Sequence, residues 1–141
     1  MMIKRKGAFL LIRSGYWLGI AADAIWAVGL LYLPVFRILT VRPGFDPDLQ
    51  TRSIMGIGGS LMTGWTILLL WAVRKPIERR TVILITAYPV VLGMFMVSLM
   101  GLLSGNVSTI WILIKTVVLM VSMTVSYILA SKIAKEEQIA P

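Results

Sequence analysis

Residues 14–36 read SGYWLGIAADAIWAVGLLYLPVF, an apolar run broken by a single carboxylate, Asp23. A helix needs roughly 20 mostly apolar residues to cross a bilayer, and this run is long enough. Working outward, three further windows have the same character, at about 53–73, 81–104 and 107–131. The reading is an all-α, integral membrane four-helix bundle with helices at about 14–36, 47–74, 76–104 and 107–132, forming one domain over residues 1–141.

Composition agrees. The chain is 58% hydrophobic and 14% charged, with a mean hydropathy of +0.89, too little polar surface to coat a water-soluble globule of 141 residues. Cysteine and histidine are both absent, which excludes disulfides, thiol chemistry, Cys/His metal or haem sites and histidine acid–base catalysis. The net charge of +8 is not a nucleic-acid footprint, because the basic residues sit at the edges of the apolar windows instead of forming a patch on a polar domain. Ten fall on one side: Lys4, Arg5, Lys6, Arg13, Arg74, Lys75, Arg79, Arg80, Lys132 and Lys135. The other side has only Arg37, Arg42 and Arg52. The positive-inside rule then predicts cytoplasmic N- and C-termini and a basic rim that attracts anionic lipid headgroups. Because Arg13 interrupts the N-terminal apolar stretch and hydrophobicity runs on to Phe36, an uncleaved first helix is expected in place of a signal peptide.

Aromatic residues mark the same boundaries. Tyr16, Trp17, Trp71 and Tyr127 fall near the cytoplasmic edge, and Tyr32 and Trp111 near the opposite one, as interfacial belts require. Trp26 and Trp65 lie mid-helix and are expected to face inward. In the first loop Asp46-Pro47-Asp48 reads as an N-cap, a first helical residue and a first-turn acid. Pro76 is expected to open the third helix, and the short Ser104-Gly105-Asn106 turn to make the last two helices antiparallel. Up-down-up-down order with the first and fourth helices touching follows. Pro34 and Pro89 are expected to kink helices one and three.

Helical spacing assigns faces. Gly15, Gly19, Ala22, Asp23, Trp26 and Leu30 share one face of helix one. Ser108, Trp111, Lys115, Ser122, Ser126 and Ala130 form a stripe on helix four. Gly56, Ser60 and Gly64, with Thr63 adjoining, are expected to pack against another helix, with Gly93 and Gly101 doing the same on helix three. Leu69 and Val73 are expected to face lipid. The nine methionines read as core filler.

Asp23 is the candidate site. An acid mid-bilayer costs ~2.5–3.5 kcal/mol on insertion scales and usually faces a bundle interior or cavity. Asp23 lies ~13 Å from the cytoplasmic end of its helix, and Lys115, the only comparably deep cation, ~12 Å from the outer end of helix four. In a ~30 Å core these depths lie within a lysine's reach. Three readings stay open: a structural ion pair; a protonated Asp23 with Lys115 snorkelling outward; and a ligand-binding site around Asp23 and Lys115 lined by Trp26, Trp65, Thr63 and Tyr88. No nucleophile–base pair, phosphate loop or metal-ligand cluster is legible, so no catalytic residue, metal or cofactor is expected and the chain reads as non-enzymatic.

The run from Pro34 into Arg52-x-x-x-Gly56-x-Gly58-Gly59-x-Leu61-x-x-Gly64, followed by Trp71-Ala72-x-Arg74-Lys75-Pro76 and Glu78-Arg79-Arg80, resembles the DoxX-like group of small four-helix prokaryotic membrane proteins over about two thirds of the chain. The resemblance implies a multi-pass protein of the plasma (inner) membrane. Its partners would be membrane lipids and either a membrane complex, as for group members linked to respiratory or redox complexes, or further copies of itself. The related EXPERA group binds amphiphiles in a four-helix cavity, but this chain lacks the histidine and paired acids of its isomerases. The functional expectation is an accessory subunit of a membrane complex or a binder of a lipid or amphiphile. The alternative is a small ion- or proton-coupled exporter using Asp23. Its lone acid in helix one is similar to the small multidrug resistance transporters, whereas the charge asymmetry weighs against a dual-topology dimer.

Overall fold

Proline decides where the first helix stops. In a computed structural model, which describes residues 2–105 and 109–139 and the side chains of 6–105 and 109–138, helix α1 spans Met2–Leu31 and ends short of Phe36. Pro34 has no N–H for the Leu30 carbonyl, and its ring would clash with it. Instead of the expected kink the helix breaks. Tyr32 takes an extended conformation (φ −124°, ψ 102°) and caps a separate helix α2, Leu33–Thr40, with Pro34 in its first turn. The following helices are α3 (Leu49–Ala72), α4 (Arg80–Ile85), a π-helical turn π1 (Thr86–Val91), α5 (Leu92–Leu103) and α6 (Ile110–Ile139), and no strand forms among the described residues. Four helical runs, Lys6–Leu31, Leu49–Ala72, Arg80–Leu103 and Ile110–Gln138, are long and apolar enough to cross a membrane.

Three other helix boundaries differ from expectation for local reasons. Asp48, not Asp46, caps α3, its Oδ1 accepting the Thr51 N–H at 2.8 Å, while Asp46 lies 3.9 Å from the Arg37 guanidinium. The third spanning run begins at Arg80 instead of Pro76, because residues 76–79 form a turn closed by the Arg79 N–H to the Lys75 carbonyl at 3.0 Å. At Pro89 the chain widens into π1, which accommodates a residue that cannot donate to the carbonyl four positions back. The expected turn residue Asn106, the start of helix four at 107 and Ser108 lie outside the described residues, as do the side chains of Lys4 and Arg5.

The chain divides into two compact units, Met1–Gly19 with Leu69–Pro141, and Ile20–Leu68, so the boundary falls within α1 and α3. In the first unit α4, π1 and α5 run along α6. Helix α1 meets α6 as expected, and its glycines make this possible: a Cβ on Gly15 would strike the Ser126 hydroxyl and one on Gly19 the Met123 methyl. Ser126 completes the contact by donating to the Leu11 carbonyl at 3.3 Å, and within its own helix to the Ser122 carbonyl at 2.8 Å. Gly101 likewise accommodates the Thr109 methyl, whereas a Cβ at Gly93 would meet open space. The core of this unit includes Ile12, Ile83, Val91, Met123, Thr86 and Ala130. Leu69 and Val73, expected in lipid, are buried in it too, because the C-terminal turn of α3 faces inward.

Tyr16 also departs from its expected interfacial position. It is fully buried, and its hydroxyl donates to the Arg79 carbonyl at 2.9 Å, with a longer contact to the Pro76 carbonyl at 3.4 Å. The Arg79 guanidinium lies 3.5 Å from the Trp71 ring centroid and donates to the Trp71 carbonyl, supplying a cation to the open C-terminus of α3. The basic exit loop is thus part of the fold.

The second unit is built around the crossing of α1 and α3. A Cβ on Gly59 would lie 2.7 Å from Leu31 Cγ and 3.2 Å from Leu30 Cβ, so the backbone of α3 comes up against α1 where only hydrogen fits. Met55, one turn earlier, is buried on the same face. The expected stripe of Gly56, Ser60 and Gly64 is rotated off this seam. Ser60 and Gly64 are exposed, and a Cβ on Gly56 or Gly64 would meet nothing within 4 Å. One residue along a helix turns the side chain by about 100°, enough to move the stripe from seam to surface. Rows of large apolar side chains face outward, among them Leu10, Leu18, Ile25 and Val28 on α1 and Ile54, Ile57, Leu61 and Ile67 on α3, as lipid-facing surfaces do.

Candidate functional site

In the second unit, α1 buries Ile20, Asp23 and Ala27 at steps of three and four, which places the acid in the helix's inward row. Asp23 is 4% exposed. Its Oδ2 is buried and has no hydrogen-bond partner among the described residues. Of the α1 residues three and four positions away, Gly19, Ile20, Trp26 and Ala27, only Trp26 has a side-chain donor. α1 cannot offer backbone N–H groups here, since mid-helix amides are used within the helix.

Trp26, Thr63 and Trp65 lie in this unit too. Both indoles are half-buried. Thr63 is exposed and spends its hydroxyl proton on the Gly59 carbonyl at 2.8 Å. Ser60 and Thr66 do the same to Gly56 and Met62, at 2.9 and 2.8 Å, so the hydroxyl groups of this stretch of α3 are donors to their own helix. The other two expected site residues belong to the first unit. Lys115 is exposed on α6, where the neighbouring Thr116 is the buried position, and Tyr88 on π1 is 47% exposed. Four of the six expected residues therefore share one unit.

Chemically, a buried carboxylate with an unfilled acceptor calls for a donor: a proton, an ammonium or hydroxyl group of a bound amphiphile, or a side chain of another protein. Leaving it unmet is costly in hydrocarbon.

Sequence reasoning missed a second feature of this unit. The loop between α2 and α3 is ordered by the Arg37 Nε donating to the Phe45 carbonyl at 2.9 Å and by Phe36 and Phe45, whose ring centroids are 5.2 Å apart. α2 folds back on α1 over Gly29, where a Cβ would lie 2.8 Å from Leu39 Cδ1. Beside this loop a cleft of about 140 Å³ opens among Leu30, Leu31, Leu33, Pro47, Arg52, Met55 and Gly56. Its sequence signal was Pro34, whose break in the helix forms the rim, together with Gly56, which leaves the space open.

Comparison with protein-family models, with curated proteins and with solved structures gave no match.

Proposed function

We propose that this chain is a non-enzymatic, multi-pass protein of a prokaryotic plasma membrane, with both termini cytoplasmic, that holds an amphiphile or a donor group of a membrane partner at Asp23. The observation that supports this reading most is the buried Asp23 Oδ2 without a partner among the described residues. Trp26 and Trp65 supply aromatic surface in the same unit. Lys115 adds a cation exposed within a spanning run, which calls for a lipid headgroup or an acid to meet it. The motifs from Arg52 to Gly64 and from Trp71 to Arg80 support placing the chain with the DoxX-like proteins.

A small ion- or proton-coupled exporter is the alternative, favoured by the same unpartnered carboxylate, since intramembrane acids mark ion and proton pathways. Native mass spectrometry of the protein extracted from its own membrane tests both. Wild type should retain an amphiphile or a partner subunit, and Asp23→Asn should lose it while keeping its melting temperature. Equal retention by the two proteins refutes the Asp23 site. Binding that requires a cation or a proton gradient selects the exporter. A double-mutant cycle of Asp23→Asn with Lys115→Met decides whether the two charges act together. Non-additive losses place Lys115 in the site, and additive losses remove it.

A further inference from the structure

We infer that the cleft beside the α2–α3 loop is a binding site for the headgroup of an anionic phospholipid. Its position is the first reason. The first spanning run ends at Leu31 and the second begins at Leu49, so a cleft lined by Leu30, Leu31, Pro47 and Arg52 lies at the boundary where headgroups sit. The short helix α2 beside it buries no residue and presents Leu33, Val35, Phe36 and Ile38, the composition of a segment lying in the interface.

Charge is the second reason. Arg52 is exposed at the cleft and makes no ion pair or side-chain hydrogen bond among the described residues. The two acids of the adjoining loop are already engaged, Asp46 near Arg37 at 3.9 Å and Asp48 by the Thr51 N–H at 2.8 Å. A planar guanidinium matches a phosphodiester bidentately, and Leu30, Leu31 and Met55 offer apolar surface for the first methylenes of the acyl chains. The site is separate from Asp23 and does not depend on what Asp23 binds.

The test uses the full chain in nanodiscs containing equal parts phosphatidylglycerol and phosphatidylcholine, with retained lipid counted by native mass spectrometry. Wild type should retain phosphatidylglycerol preferentially, and Arg52→Gln should reduce that preference about fivefold. Gly56→Leu provides a second variant that keeps the charge. Its side chain meets no neighbour at Cβ and fills the cleft, so it too should lose the lipid while running as a monodisperse helical protein. Arg42→Gln, on the same loop but outside the cleft, should change nothing. No preference in wild type, or a preference unchanged in both Arg52→Gln and Gly56→Leu, overturns the inference. A thermal shift with inorganic phosphate in phosphatidylcholine discs, without lipid preference, would assign the cleft to a free anion and likewise overturn it.

Discussion

The seam between α1 and α3 makes two chemically identical substitutions differ in sign. At Gly59 an added methyl would sit 2.7 Å from Leu31 Cγ, 2.9 Å from Leu31 Cδ2 and 3.2 Å from Leu30 Cβ. Cγ and Cβ are branch and root atoms that move only if a rotamer or the backbone moves. Gly59→Ala should therefore cost what overpacking typically costs, about 1–3 kcal/mol. At Gly64 the same methyl meets open space, and replacing a mid-helix glycine should gain roughly 0.5–1 kcal/mol. The pair is thus separated by about 1.5–4 kcal/mol, or roughly 6–16 °C in melting temperature at ~4 °C per kcal/mol for a chain of this size. Thermal unfolding of both variants in one mild detergent, followed by loss of monodisperse protein on size exclusion, measures the difference. If Gly64→Ala proves the more destabilising, the seam runs through Gly56, Ser60 and Gly64 and this packing is wrong.

Other outcomes follow from the same geometry. Tyr16→Phe leaves the Arg79 carbonyl, and the more distant Pro76 carbonyl, without a buried donor, and should cost about 1–3 kcal/mol in detergent unfolding; an unchanged midpoint would show that water reaches that loop. The Thr51 hydrogen bonds hold the Asp48 carboxyl below the usual carboxylate range, so its cap contributes stability above the ordinary carboxylate pKa and loses it as pH falls through the lowered folded value. The protection of the Thr51 amide, its exchange rate relative to the intrinsic rate at the same pH, should accordingly fall at acid pH in wild type and be low at all pH in Asp48→Ala. Cysteines introduced at Gly44 and Ser104 should react with an impermeant thiol reagent from outside the cell and one at Glu137 should not; labelling of Glu137 alone would invert the proposed orientation.

The sequence by itself determined the all-helical class and the four helices long and apolar enough to cross a membrane, because hydrocarbon solvation is a property of composition over roughly 20 residues and needs no neighbours to be read. It also marked Pro34 and Pro89 as positions where helices change, and the inward placing of Gly15, Gly19 and Asp23, since a 3.6-residue period orients a helix wherever one residue is strongly disfavoured in lipid, although Ala22, Trp26 and Leu30 of the expected face are half-buried and Ile20 and Ala27 complete the inward row. It did not separate Gly59 from Gly56 and Gly64. In a membrane small residues pack closely or line an empty surface with equal ease, and the choice is made by which side chain on the partner helix, here Leu31, approaches. Tyr16 is the same lesson in polar form. An amphipathic ring near a boundary reads as an interfacial anchor, yet the turn at residues 76–79 presents carbonyls that draw its hydroxyl into the core. Spacing reads Asp46 as the cap and Asp48 as a first-turn acid, whereas it is Asp48 that accepts the Thr51 N–H while Asp46 lies near the Arg37 guanidinium. The cleft beside the α2–α3 loop was illegible for the same reason, since Leu30, Leu33, Pro47 and Arg52 come together only after Pro34 has broken the helix and Gly29 has let α2 fold back. Periodicity orients each helix about its own axis, but contacts between residues far apart in the chain fix which of several compatible faces meets another, and those contacts exist only in the folded molecule.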